Sequence, residues 1–175
     1  DSCVTTVIEG LRMVSPQTDF DFFPFATNLR TMEMSRVLQA KDRARKADLA
    51  IVVVGENSMR YMWKDKTCGE NVDRYELSLV GLQQQLVEEI YATGVPTIVV
   101  LVNGRPLSTE WIAENIPALV EAWEPGSFGG QAVAEILYGK VNPEAKLPIT
   151  IPRSAGQVQT YYNHKQTSKW FPYGT

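Results

Sequence analysis

Within Gly69-Glu70-Asn71-Val72-Asp73-Arg74 the chain sets two carboxylates and a guanidinium side by side. That composition suits acid/base chemistry. A carboxyl acting as a general acid must hold its proton near neutral pH, and enclosure by a partner surface raises its pKa by removing water. Glu70 sits on a segment that is free to insert into such a partner. The plain alternative is a solvated Glu70 paired with Arg74, and for an arbitrary loop glutamate that is the default.

The segment itself is unusual. It runs from Gly55 to about Ser78, far beyond the roughly 2–6 residues of an ordinary strand-to-helix loop. It holds Met59, Tyr61, Met62 and Trp63, which want a surface to pack on, beside Arg60, Lys64, Asp65 and Lys66. Aromatic and ionic groups together suit a polar ligand with apolar faces, such as a sugar. The alternative is a structural flap. Two further turns carry polar groups. Glu124-Pro125-Gly126-Ser127-Phe128-Gly129-Gly130 resembles a phosphate cradle only loosely, so a tight turn with close backbone packing is the better reading. Asn103-Gly104-Arg105-Pro106 reads as a turn in which Arg105 anchors a carboxylate or an interface.

Periodicity says what positions these groups. Val4, Val7, Ile8, Leu11 and Val14 predict an amphipathic helix that carries Cys3 and ends near Ser15-Pro16. Asp19 to Phe25 alternates as a short strand, and Met34 to Ala47 reads as a helix lined by Ala40, Ala44 and Ala47. Leu49 to Val54 is a continuous apolar run, the pattern of a strand buried on both faces. Leu79, Leu82, Leu86 and Ile90 mark the next helix, closed by Gly94. Thr97 to Val102 and Ala118 to Trp123 are further strands, with a helix marked by Val133, Ile136 and Leu137. Alternating strand and helix predicts an α/β fold: a doubly wound, mainly parallel sheet with helices on both sides, of flavodoxin-like topology. Ligands in such sheets bind beyond the carboxyl ends of the strands, where all three polar segments fall.

Bulk properties exclude several classes. The 175 residues allow one well-cored domain. A net charge of −3 without a basic block disfavours nucleic acid and anionic membrane. No apolar run reaches the roughly 18 residues of a membrane span. Cys3 and Cys68 read as free thiols, and a lone His164 without paired Cys/His spacing argues against a metal site. No cofactor is expected.

Ala47-Asp48-Leu49-Ala50-Ile51-Val52-Val53-Val54-Gly55-Glu56 resembles a strand of glycoside hydrolase family 3. Leu101 through Pro106, Ala118 through Gly130, Gly139 through Pro148, Ile151 through Gln157 and Tyr161 through Lys165 match in the family's order. The resemblance implies the α/β sandwich that follows a TIM-like barrel in retaining β-glucosidases and β-xylosidases. The barrel would be a partner and would supply an Asp nucleophile. The sandwich would supply the acid/base Glu, which precedes an Arg by four residues just before a Leu-rich helix start. Glu70, Arg74 and Leu77 match that placement. The resemblance makes Glu56 structural or ligand-adjacent, and Arg74 and Asp73 positioners of the loop, with Arg74 also a candidate contact to substrate and Trp63 or Tyr61 expected on the aglycone side. It further implies a periplasmic or secreted protein acting on oligosaccharides. On the same pattern, residues 1–152 form the sandwich and 153–175 an irregular arm, with the first strand and the barrel outside the chain. The family's Leu-Pro at the helix start is Leu79-Val80 here. Two other hypotheses compete: a non-catalytic accessory module of a sugar enzyme, and a nucleotide- or phosphate-binding domain built on Gly126–Gly130.

Overall fold

The computed structural model describes residues 3–26, 28–30, 32–58, 64–157 and 161. Its most β-branched run forms the centre. Strand β2 (Thr97–Val102) lies parallel between β1 (Ala50–Gly55) and β3 (Ala118–Glu121). Central position encloses it from both faces: Val99 and Val100 are fully buried and Leu101 nearly so. Each such side chain contributes about 1.5–3 kcal/mol.

Register then decides which residues meet the helices. Val52 lies beside Val99 and Val54 beside Leu101. These four share the main core with α2 (Met34–Ala44), α3 (Gln83–Tyr91) and α4 (Glu110–Asn115), through Ala40, Ala44, Leu86, Val87, Ile90 and Ile112. Helices α1 (Val7–Val14) and α5 (Gly129–Leu137) pack against each other and bury Leu11, Val133 and Ala134 outside that cluster. Thr6 and Glu9 cap α1 reciprocally, Thr6 Oγ1 accepting from the Glu9 N–H and Glu9 Oε2 from the Thr6 N–H. The α1–α5 crossing is set by glycine. A methyl group at Gly10 would stand 2.2 Å from the Gly130 carbonyl oxygen, and one at Gly130 would stand 2.2 Å from Thr6.

Several expectations need correction. The apolar run of β1 is not buried on both faces: Val53 is 45% exposed and Leu49 46% exposed. Only the face carrying Val52 and Val54 meets the main core. Asp19 to Phe25 forms no strand, because no described strand pairs with it. Side chains hold it instead. Phe23 and Phe25 pack on the core, the Arg36 guanidinium lies 4.2 Å from the Phe23 ring centre, and Arg43 pairs with Asp21. Helix α3 starts at Gln83, so Leu79 and Leu82 belong to the approach rather than the helix. Cys3 precedes α1, and α4 carried no periodic signal in its six residues. Beyond Arg153, whose Nη1 lies 2.8 Å from Glu110, the described chain makes a single 3₁₀ turn at Ala155–Gln157. Among the described residues no helix is long and apolar enough to cross a membrane.

Candidate active site

The carboxyl end of β1 is built around a buried acid. The Glu56 N–H donates to the Val102 carbonyl at 2.8 Å, so its backbone extends the sheet by one rung. Its side chain is 0% exposed, with Oε1 2.9 Å from Arg74 Nη1 and Oε2 3.3 Å from Arg105 Nε. Just before it, Gly55 takes φ 150°, and its peptide is bracketed by the Gln83 amide. The Gly55 N–H donates to Gln83 Oε1 at 2.7 Å, and Gln83 Nε2 donates back to the Gly55 carbonyl at 2.8 Å.

The long loop is stitched to this end. Asn57 and Thr67 pair at two points, the Thr67 N–H to the Asn57 carbonyl and the Asn57 N–H to Thr67 Oγ1, both at 2.7 Å. Asn28 donates to Asp65, and Arg30 Nη2 donates to the Lys66 carbonyl. Lys66 is 5% exposed and turns its ammonium onto the Glu70 carbonyl oxygen. Cys68 is buried and free, and burial, then the Glu56 charge, push its thiol pKa up.

Glu70 stands at the apex. The Val72 N–H donates to the Gly69 carbonyl at 3.1 Å, closing a turn with Glu70 and Asn71 at its centre. Gly69 and Asn71 on either side take φ 88° and 61°, the left-handed region that glycine and asparagine tolerate. Glu70 is exposed, and none of the ion pairs among the described residues includes it. Arg74 is turned inward, 13% exposed, onto Glu56 and the Ser78 carbonyl. The structure thus separates Glu70 from Arg74 and joins Arg74 to Glu56. Asp73 is exposed. Trp63 and Tyr61 lie outside the described residues.

The neighbouring strand ends complete the surface. A cleft of about 290 Å³ opens beside Glu56, lined by Asn57, Ser58, Val102, Glu124, Pro125 and Gly126. Asn103 is fully buried, and its Nδ2 donates to the Arg105 carbonyl at 2.8 Å across a bend at Gly104 and Arg105. Two N–H groups of the Gly126–Gly130 turn are already taken by backbone carbonyls. The Gly130 N–H donates to the Thr5 carbonyl across the α1–α5 contact, and the Gly129 N–H to the Gly126 carbonyl within the turn.

Glu121 is a group that sequence reading passed over. Burial raises its pKa, while the N–H of Trp123 at 3.1 Å and the Asn103 amide work the other way. A carboxyl whose folded pKa is raised adds stability below its unfolded pKa, and that stability is lost as pH climbs through the folded value. Glu121→Gln keeps an acceptor for the Trp123 N–H and removes the titration. Its melting temperature is expected above that of the native protein at about pH 7, with the gap closing toward about pH 4. A gap that widens on acidification reverses the assignment.

Residues 2–175 match the glycosyl hydrolase family 3 C-terminal domain. The chain belongs to that family. This family 3 domain is similar to a β-xylosidase of Formosa agariphila, 48% identical over 124 residues, 71% of the chain and 16% of that protein. A periplasmic β-glucosidase of Salmonella typhimurium is 37% identical over 131 residues, 75% of the chain and again 16% of the relative. Among solved structures, the β-glucosidase of Listeria innocua in complex with isofagomine superposes with a TM-score of 0.79 at 30% identity, over 94% of this chain and 22% of that one. The chain therefore spans about a sixth to a fifth of these relatives.

Proposed function

We propose that this family 3 domain is the acid/base-bearing part of a retaining glycoside hydrolase, one that removes terminal β-linked glucosyl or xylosyl residues from oligosaccharides. Glu70 carries the reading. It is an exposed carboxylate at the apex of a turn whose neighbouring charged groups, Lys66 and Arg74, are turned inward as anchors. A group presented this way can meet a second domain, and the family's barrel would close over it and supply the Asp nucleophile. Removal of water around Glu70 in that closed state would favour its protonated form, as a general acid needs.

In such a reaction the nucleophile attacks the anomeric carbon while Glu70 protonates the departing glycosidic oxygen. The bond between them breaks, leaving a glycosyl ester. Glu70, now a carboxylate, takes a proton from water, which attacks the same carbon and releases sugar and nucleophile. The two carboxyls of a retaining pair stand about 5–5.5 Å apart. Trp63 and Tyr61 would line the aglycone side, and Arg74 and Asp73 would hold the loop. We infer a periplasmic or secreted location, in keeping with the Salmonella relative described as periplasmic.

Azide tests the role directly. In the full-length enzyme with Glu70→Gly, azide enters the space left by the side chain and attacks the glycosyl ester without needing a base. The expected product is a β-glycosyl azide, formed faster than the sugar. No acceleration by azide would leave the domain an accessory module.

A further inference from the structure

We propose that Glu56 is a positioning residue for the acid/base step: a buried carboxylate that fixes where the Glu70 turn stands relative to the sheet. The proposal rests on the reading of Glu70 above. A chain of contacts runs from the central sheet out to the turn. Glu56 is locked to β2 through its N–H on Val102. Its two oxygens then hold two guanidiniums of separate origin, Arg74 in the loop and Arg105 after β2.

Each arginine passes the constraint on. Arg105 Nη2 donates to the Val72 carbonyl at 3.1 Å, and the Val72 N–H closes the turn on Gly69. Arg74 Nη2 donates to the Ser78 carbonyl at 2.7 Å, which pins the loop where it returns toward α3. The turn carrying Glu70 is therefore held from its far side by groups that converge on one carboxylate. Lys66 holds the near side through the Glu70 carbonyl.

Charge makes the arrangement sensitive. Two guanidiniums share one enclosed carboxylate, and Glu56 Oε2 has no hydrogen bond of good geometry despite Arg105 Nε at 3.3 Å. Removing the negative charge leaves two like charges facing each other, and they separate toward solvent, taking Val72 and the turn with them. A buried ion pair is weak evidence of stabilisation, since apolar residues of similar volume often serve as well. What it supplies here is direction, which a general acid needs. Glu70 must come within about 2.6–3.2 Å of the glycosidic oxygen, and a displacement of about 1 Å costs on the order of 10²-fold.

The test compares leaving groups in the full-length enzyme. A misplaced acid slows release of a sugar alkoxide, which needs the proton, and hardly affects release of dinitrophenolate, which does not. Glu56→Gln is expected to lower kcat/KM on an unactivated β-linked disaccharide by about 10²-fold, and to leave the dinitrophenyl β-glycoside within about threefold. Glu70→Ala runs beside it. If Glu70→Ala shows the split and Glu56→Gln shows none, or slows both substrates equally, the positioning role is overturned. If Glu70→Ala shows no split, the reading of Glu70 fails instead. Should Glu56→Gln not fold, Arg105→Lys decides. It keeps the charge beside Glu56 and loses the forked reach to Val72, so a split of about tenfold is expected and its absence counts against the proposal.

Discussion

In the full-length enzyme, Glu70→Ala is expected to lower kcat/KM for an unactivated disaccharide by about 10²–10⁴-fold, the range a single general acid contributes. That loss is about 3–5 kcal/mol of transition-state stabilisation. With a dinitrophenyl glycoside the first step is nearly unaffected, since the leaving group departs as an anion. The second step still needs a base, so the glycosyl ester accumulates and kcat falls while kcat/KM holds. A burst of dinitrophenol followed by slow turnover is the expected trace. The basic limb of the pH profile for kcat/KM, which reports the acid in the free enzyme, disappears in the same variant. An unchanged rate on the disaccharide would remove Glu70 from the chemistry altogether.

Gly55→Ala is expected to unfold the domain or to cost about 4 kcal/mol or more. The added methyl group would stand 1.8 Å from the Val102 carbonyl oxygen, the acceptor for the Glu56 N–H. Overpacking of this kind costs about 1–3 kcal/mol. The φ of 150° adds strain that only glycine avoids, on the order of 1–3 kcal/mol. Relief by backbone movement breaks the two hydrogen bonds with Gln83, at about 1 kcal/mol each. Against a typical stability of about 5–15 kcal/mol this is a large share. Gly94→Ala is the control, because Gly94 has φ 80° and no atom within 4 Å of an added methyl group. Urea unfolding of both variants checks the difference. Equal costs would show that backbone conformation, not the close approach to Val102, sets the requirement for glycine.

Legibility followed the range of the interaction. Strand β2 is found where Thr97 to Val102 predicted it, since a run enclosed on both faces writes its own boundaries. The length and position of the Gly55–Ser78 loop were readable because connections are short by default. The partners inside that loop were not. Glu56 meets Arg74 eighteen residues on, and Arg105 lies further still. Nothing in spacing distinguishes that pairing from Glu70 with Arg74, which is the shorter and locally plausible one. Asp19 to Phe25 alternates like a strand, yet alternation reports a half-buried extended segment and not a ladder partner. Glu121 gave no signal because its burial comes from the fold of Trp123 and Asn103 around it, and Trp123 takes an uncommon φ of 53°. The preference for Glu70 over Glu56 as the proposed acid came from the family resemblance, because spacing alone does not reveal that Glu56 is buried between Arg74 and Arg105.

The glycine crossing of α1 and α5 bears on how the chain reaches this fold. Helix α1 packs against a helix that begins at Gly129, so its partner is synthesised only after all three strands of the sheet. Until then the apolar stripe of α1 has no surface to cover it, and closing so long a stretch of chain is slow. Docking of α1 therefore waits until the sheet and α5 have been synthesised, and in that interval its uncovered stripe is open to aggregation and to chaperones.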